Sequence, residues 1–214
     1  MIKIERFIFN LFEVNTYVLY DETKESVIID PGCYESAEQN RLKKFIEEKG
    51  LKPVRLLNTH THIDHILGNQ FIVNQYNIKL EIHEKGLIFL NKLPVTAVGF
   101  GMIVDEVPQP GNFIKNGDII KFGNSRLKVL YTPGHADGSV CFYNEEQKFV
   151  IVGDVLFNQS IGRTDLPTGD FDLLNKSIEE ELFTLPDDVI VYPGHGPETT
   201  IGFEKINNPY VDLV

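Results

Sequence analysis

Residues 58–69 read NTHTHIDHILGN, and place three of the chain's six histidines and one aspartate within the six positions from His60 to His65. A core histidine is normally solitary and held by one hydrogen-bond partner, and a surface histidine has no reason to recur at this spacing. Neutral imidazole is a common metal ligand, so the crowding points to metal. His60 and His62 are two apart, so in an extended segment their side chains point the same way. Asp64 and His65 follow where the chain is expected to turn into a helix.

The rest of the chain supplies further ligands of the same kind. "LLNTH", "VLYTPGH" and "VIVYPGH" each run an apolar strand straight into a histidine, and "VIVGD" ends in an aspartate. Four strands would each deliver a ligand at one end, as expected when a sheet sandwich gathers its site at one edge. His135 and His195 each follow a Pro-Gly that can bend the chain, and Asp154 follows Gly153. Five histidines and two carboxylates are too many for one tetrahedral ion and suit two ions sharing a carboxylate. His83 stands alone in "EIHEKG" and reads as a surface or helix-start residue.

Composition sets the outer bounds. With 214 residues, 42% hydrophobic and 24% charged, the chain suits one domain spanning 1–214, able to bury roughly 70% of its unfolded surface. The formal charge of −11 argues against a nucleic-acid backbone as partner, even after two divalent ions have bound. No stretch approaches the ~20 apolar residues of a membrane span. Lys3, Glu5, Arg6 and Glu13 interrupt the N-terminus where a signal peptide would be apolar, so a cytoplasmic location is expected. Cys33 and Cys141 form no CxxC pair and no disulfide framework.

Strands are expected at Ile2–Phe9, Thr16–Tyr20, Val27–Ile29, Val54–Leu57, Leu80–Ile82, Ile119–Phe122, Leu127–Tyr131, Val140–Tyr143, Phe149–Val152 and Val189–Tyr192. A helix should open at a Ser36/Gln39 capping box, bury Leu42, Phe45 and Ile46, and stop at Gly50. A second should open near Asp64 and bury Leu67, Phe71 and Ile72. A third should run from about Phe171 through Leu174, Ile178 and Leu182 to Pro186. Residues 94–112, PVTAVGFGMIVDEVPQPGN, read either as a long surface connection or as an apolar flap over a substrate pocket.

The THTHIDH block, Gly134-His135, Gly153-Asp154 and Gly194-His195 together resemble the metallo-β-lactamase superfamily, over nearly the whole chain from "VIIDPG" onward. The resemblance implies an α/β fold, a four-layer αββα sandwich with its metals at the sheet edge. It implies that His60, His62 and His135 hold one metal and that Asp64, His65 and His195 hold another. Asp154 would bridge them, and Asp64 and Asp154 would be the carboxylates closest to the chemistry. Asp30 matches an early aspartate that orients a ligand loop. Zinc is the expected ion, and iron or manganese suit the same ligands.

Within the superfamily, GDVLFNQSIGRTDLPTGD and YPGHGPETTIGFEKINNP look like short glyoxalase II-type hydrolases. That implies hydrolysis of a small-molecule hydroxyacyl thioester such as S-lactoylglutathione by a metal-bridging hydroxide. A thiolate, with a reference pKa near ~8.5, can leave without a dedicated general acid. The sequence runs to "NNPYVDLV" without matching the helical region that gives glyoxalase II much of its glutathione contact, so the expectation leaves the thiol portion open. The alternative is a persulfide dioxygenase of the same fold, in which His60, His135 and Asp154 would form a mononuclear iron triad. A β-lactamase, an RNA nuclease and a non-enzymatic module fit less well. Arg163 in "IGRTD" is a candidate for holding a substrate carboxylate or for a structural ion pair. Cys33 reads as a packed small residue.

Overall fold

Alternating side chains whose two faces are both apolar dominate the long strands, and that pattern demands a covering layer on each side of a sheet. The computed structural model, which describes residues 1–211, supplies those layers. One six-stranded sheet runs in the order β1 (Lys3–Phe9), β2 (Val14–Tyr20), β3 (Glu25–Ile29), β4 (Lys52–Leu57), β5 (Leu80–Ile82) and β6 (Pro110–Phe113). The second contains β7 (Ile119–Phe122), β8 (Ser125–Tyr131), β9 (Val140–Asn144), β10 (Phe149–Gly153), β13 (Ile190–Pro193) and β14 (Thr199–Thr200). Its spatial order is β14-β13-β10-β9-β8-β7, and a hairpin of β11 (Leu156–Phe157) and β12 (Ser160–Ile161) stands apart. The last three positions of the expected 1–214 span lie outside the described residues.

Alternation sorts the core into three layers. In β2, Tyr17 and Leu19 face the second sheet, where they meet Val129, Phe142 and Ile151. Val14 and Val18 face the opposite way, against Leu42, Ile46 and Ile72 of the first helical layer. In β10, Val150 and Val152 turn outward to Leu174, Ile178, Leu182 and Ile201. The result is the α/β/β/α sandwich implied by the superfamily resemblance.

The first helical layer comprises α1 (Ser36–Lys49), α2 (Ile63–Ile66), α3 (Asn69–Tyr76), α4 (Leu87–Leu90) and α5 (Leu93–Gly99). The second comprises α6 (Phe171–Ser177), a wider π turn at Ile178–Leu182, and α7 (Ile201–Asn207). Gly50 ends α1 in the left-handed region, φ 62°, as expected. The capping box differs: it uses Glu35 and Glu38, one residue before the expected Ser36/Gln39 pair. The Glu38 carboxylate accepts from the backbone N–H groups of Asn10, Tyr34 and Glu35, which a neutral Gln39 amide could match only weakly. The helix expected from Asp64 is broken in two. Gly68 donates its N–H to the Pro31 carbonyl at 2.7 Å instead of continuing the helix. A Cβ at that position would meet Cys33 Sγ at 2.6 Å.

Strand direction places the site. Strands β3 and β4 are parallel, β10 and β13 are parallel, and β8 runs the same way as β10 because both are antiparallel to β9. The carboxyl ends of these strands therefore deliver Asp30, His60, Asp154, His195 and His135 to the same edge. The two sheets are tied there by backbone and side chain. Asn15 N–H donates to the Gly194 carbonyl at 2.7 Å, and the Tyr17 hydroxyl donates to the Pro193 carbonyl at 2.7 Å.

The inter-sheet layer should dominate stability. Phe142→Ala is expected to cost about 3–5 kcal/mol by transfer loss and cavity formation. Ile206→Ala, at a position 82% exposed, should change stability by less than about 0.5 kcal/mol. Urea unfolding midpoints would decide, and equal midpoints would contradict the layer assignment.

Candidate metal centre

The tautomers of the clustered imidazoles follow from what their outward nitrogens face. Asp30 is fully buried, with φ 50°, and its carboxylate accepts from Thr59 N–H at 2.7 Å and from the Thr59 hydroxyl at 2.6 Å. It also lies 3.0 Å from His65 Nδ1, which must donate to it. The Thr59 proton is thereby committed, so its oxygen, 3.2 Å from His60 Nδ1, accepts from that ring. His135 Nδ1 faces the backbone carbonyl of Arg163 at 2.8 Å and donates there. In neutral rings, the remaining nitrogens of His60, His65 and His135 then carry lone pairs.

Those lone pairs converge. His135 Nε2 lies 3.2 Å from His60 Nε2 and 2.9 Å from His62 Nδ1. His65 Nε2 lies 3.2 Å from Asp154 Oδ1, and neither atom has a hydrogen-bond partner, although both are buried. His195 Nε2 is 3.0 Å from Asp64 Oδ2 and 3.6 Å from Asp154 Oδ2. Three groups of potential ligand atoms lie within 4.8 Å of one another: His60–His62–His135, His60–His65–Asp154, and Asp64–His65–His195. Such a donor set, with lone pairs facing lone pairs and orphaned buried acceptors, fits divalent cations.

Electrostatics divides the cluster. Burial and the neighbouring imidazoles hold His60 well below its usual range and push His62 down to about 3. Burial would likewise lower His65, but the carboxylates of Asp64, Asp154 and Asp30 outweigh it and raise that ring well above 6.5. Burial would raise the Asp154 carboxyl, yet the charges of His65, His135 and His195 hold it well below the carboxylate range.

All seven residues expected as ligands lie in one cluster, with the Asp30 carboxylate against His65 Nδ1. His83 stays out: it starts the 3-10 turn Glu84–Gly86, accepting from Lys85 N–H, and stacks on Tyr131. Cys33 is buried in the core, and burial pushes its thiol up to about 12. Arg163 lines the cavity over the cluster, and its guanidinium makes two 2.7 Å bonds to the exposed Asp165 carboxylate. Its carbonyl, which orients His135, carries no sequence signal because any residue has one.

A cavity of about 510 Å³ opens on the cluster, with His62, Asp64, His135, Asp154 and His195 in its lining. Part of the 94–112 segment forms its wall. Residues 93–99 are helical, which the proline and glycine content hid, and Leu93, Thr96 and Phe100 face the cavity. The close packing makes a small residue mandatory at one motif position. A Cβ on Gly194 would lie 2.0 Å from Asp154 Oδ1 and 2.8 Å from His65 Cε1. Gly194→Ala is therefore expected to displace the carboxylate and lower affinity for divalent metal about 10–100-fold. A competition titration with a chelating dye would show this, and unchanged affinity would mean that Asp154 is not held as described.

Comparison with known proteins agrees with this geometry. Residues 10–195 match the family described as the metallo-beta-lactamase superfamily. The chain is 37% identical to hydroxyacylglutathione hydrolase GloC of Haemophilus influenzae, over 94% of both chains. Among solved structures it resembles the B3 metallo-beta-lactamase BLEG-1, with a TM-score of 0.86, 34% identity, and 99% of both chains covered. It also resembles TTHA1623, solved in a di-iron-bound form, with a TM-score of 0.86 and 32% identity over 97% of this chain and 100% of that one. This chain belongs to the metallo-β-lactamase superfamily of metallo-hydrolases.

Proposed function

We propose that the protein is a thioester hydrolase of the glyoxalase II type, acting on a hydroxyacyl thioester such as S-lactoylglutathione. The observation that carries the reading is the clustering of five histidines and two aspartates in three overlapping groups, five of the seven residues lining one cavity. The similarity to GloC supports the acyl chemistry. His60, His62 and His135 would hold one divalent ion, and Asp64, His65 and His195 a second, with Asp154 shared. Zinc is the expected occupant. Bound there, the ions would supply Lewis acidity that activates water and polarises a carbonyl.

The chain's own residues do the rest. Asp30 and the Arg163 carbonyl fix the ring planes of His65 and His135, so that their free nitrogens point inward. Asp154 and Asp64 offset the positive charge gathered at the floor. The apolar walls restrict water around the scissile bond, which strengthens electrostatic interactions within. A thiolate leaves such a site without a proton donor. A β-lactam nitrogen, the leaving group for an enzyme of BLEG-1's description, is a poorer fit.

Asp154→Ala should lose at least ~100-fold in hydrolysis rate, the scale of catalytic electrostatics, because it removes the shared carboxylate between two cations. His83→Ala, outside the cavity, should stay near wild type. Comparable rates for the two variants would remove Asp154 from its proposed place.

A likeness to the solved structure of ETHE1 from Myxococcus xanthus, with a TM-score of 0.79 and 27% identity over 97% of this chain and 83% of that one, supports one second reading, a mononuclear iron persulfide dioxygenase with His60, His135 and Asp154 as its triad. Zinc-loaded and iron-loaded protein, assayed with S-lactoylglutathione and with glutathione persulfide, with and without oxygen, separates the two. Hydrolysis independent of oxygen is expected. Oxygen uptake with persulfide, and background turnover of thioester, would overturn the hydrolase reading.

A further inference from the structure

The cavity wall is chemically one-sided. Phe12 from the β1–β2 turn, Ile63 and Ile66 of α2, Ile88 of α4, and Leu93 and Phe100 at the two ends of the α5 segment give it an apolar surface. Phe12 and Phe100 meet edge to face with centroids 5.1 Å apart, closing one side. Outside the ligand cluster, Lys92 and Arg163 are the charged residues among the described lining, and Arg163 is engaged by Asp165. A glutathionyl group carries two carboxylates and an ammonium. Lys92 offers one countercharge, but setting the remaining charges against phenyl and alkyl side chains carries a cost that hydrocarbon does not incur.

We infer that the preferred substrates are thioesters bearing an apolar alkyl or aryl group next to the scissile carbonyl, seated against the wall formed by Phe12, Ile88, Leu93 and Phe100. The inference rests on the thioester-hydrolase reading for its reaction and on the cavity for its ligand. The reaction balances as hydrolysis: the acyl C–S bond breaks, a C–O bond to water forms, and carboxylate and thiol are released. The apolar group can belong to the acyl or to the thiol side, because both flank the same carbonyl.

Binding and turnover test it separately. Non-hydrolysable S-methyl and S-hexyl thioethers of N-acetylcysteamine, titrated calorimetrically, report the wall without requiring turnover. Affinity should rise about fourfold per buried methylene, which is about 60-fold if three of the five added methylenes are buried (~0.8 kcal/mol each). Phe100→Ala and Ile88→Ala, at positions 49% and 43% exposed and so tolerant of change, should each reduce the hexyl preference at least threefold. Ile206→Ala should not. Turnover then places the group. Octanoyl against acetyl esters of N-acetylcysteamine vary the acyl side, and acetyl esters of hexanethiol against ethanethiol vary the thiol side.

Higher kcat/KM along either series, diminished by the wall variants, supports the inference and names the side. Equal binding of the two thioethers, or a hexyl preference untouched by both wall variants, overturns it. Turnover of S-lactoylglutathione with no gain from chain length in either series overturns it too, while leaving the hydrolase reading intact. Chain-length-dependent binding that Phe100→Ala reduces, with no thioester hydrolysed at all, supports the apolar wall and overturns the hydrolase reading.

Discussion

Asp30 is the residue on which the site depends. Its carboxylate sits beneath the carboxyl ends of β3 and β4, accepts both the N–H and the hydroxyl of Thr59, and receives the Nδ1 proton of His65. A buried carboxylate without partners would be expensive, so these bonds are obligatory rather than decorative. They also fix direction. By taking the Thr59 proton, Asp30 forces His60 to donate to the Thr59 oxygen, which turns the other nitrogen of His60 inward. One carboxylate thus sets the proton positions on two rings. The left-handed backbone at Asp30, φ 50°, is a modest strain that an aspartate tolerates better than most residues.

The consequence is a cluster whose charges are at odds. His60 and His62 are held neutral by burial and by their neighbours, whereas His65 is driven toward its protonated form by three carboxylates. Without cations, the same cluster must hold neutral lone pairs facing one another beside an imidazolium flanked by acids. Two divalent ions would resolve both halves with one change: lone pairs become ligands, and the carboxylates find countercharge without a proton on His65.

Much of this was legible in the chain. Strands ending in His60, His135, Asp154 and His195 could be read because the fold puts apolar, β-branched residues immediately before each ligand. What escaped the sequence reading escaped for physical reasons. The helix from Asp64 was broken because Gly68 finds a better acceptor in Pro31, a residue 37 positions away that no local pattern registers. The capping box slipped by one because Glu38 serves three donors, one of them Asn10 in another element. Helices α4 and α5 were missed because they span only four and seven residues, and helices so short form only where tertiary packing holds them. The carbonyl of Arg163, acting through backbone, had no side-chain signature at all.

The two halves of the sandwich contribute unequally to the site, and that asymmetry separates chemistry from selectivity. One βα turn after β4 delivers His60, His62, Asp64 and His65 together, whereas His135, Asp154 and His195 arrive singly from three strands of the other sheet. The cluster therefore exists only when the inter-sheet layer sets the two edges at the right separation, which the Asn15 and Tyr17 bonds to residues 193–194 then pin. Most of the cavity wall has a different origin. Phe12, Ile88, Leu93 and Phe100 come from the first half alone, on a turn and short helices that bear none of the seven clustered residues. Of these, Ile88 and Phe100 are partly exposed and free to vary in size, whereas Leu93 is buried in the core. A scaffold built this way holds its ligand cluster by buried hydrogen bonds, and under the proposed function its substrate preference would be set by side chains on separate elements.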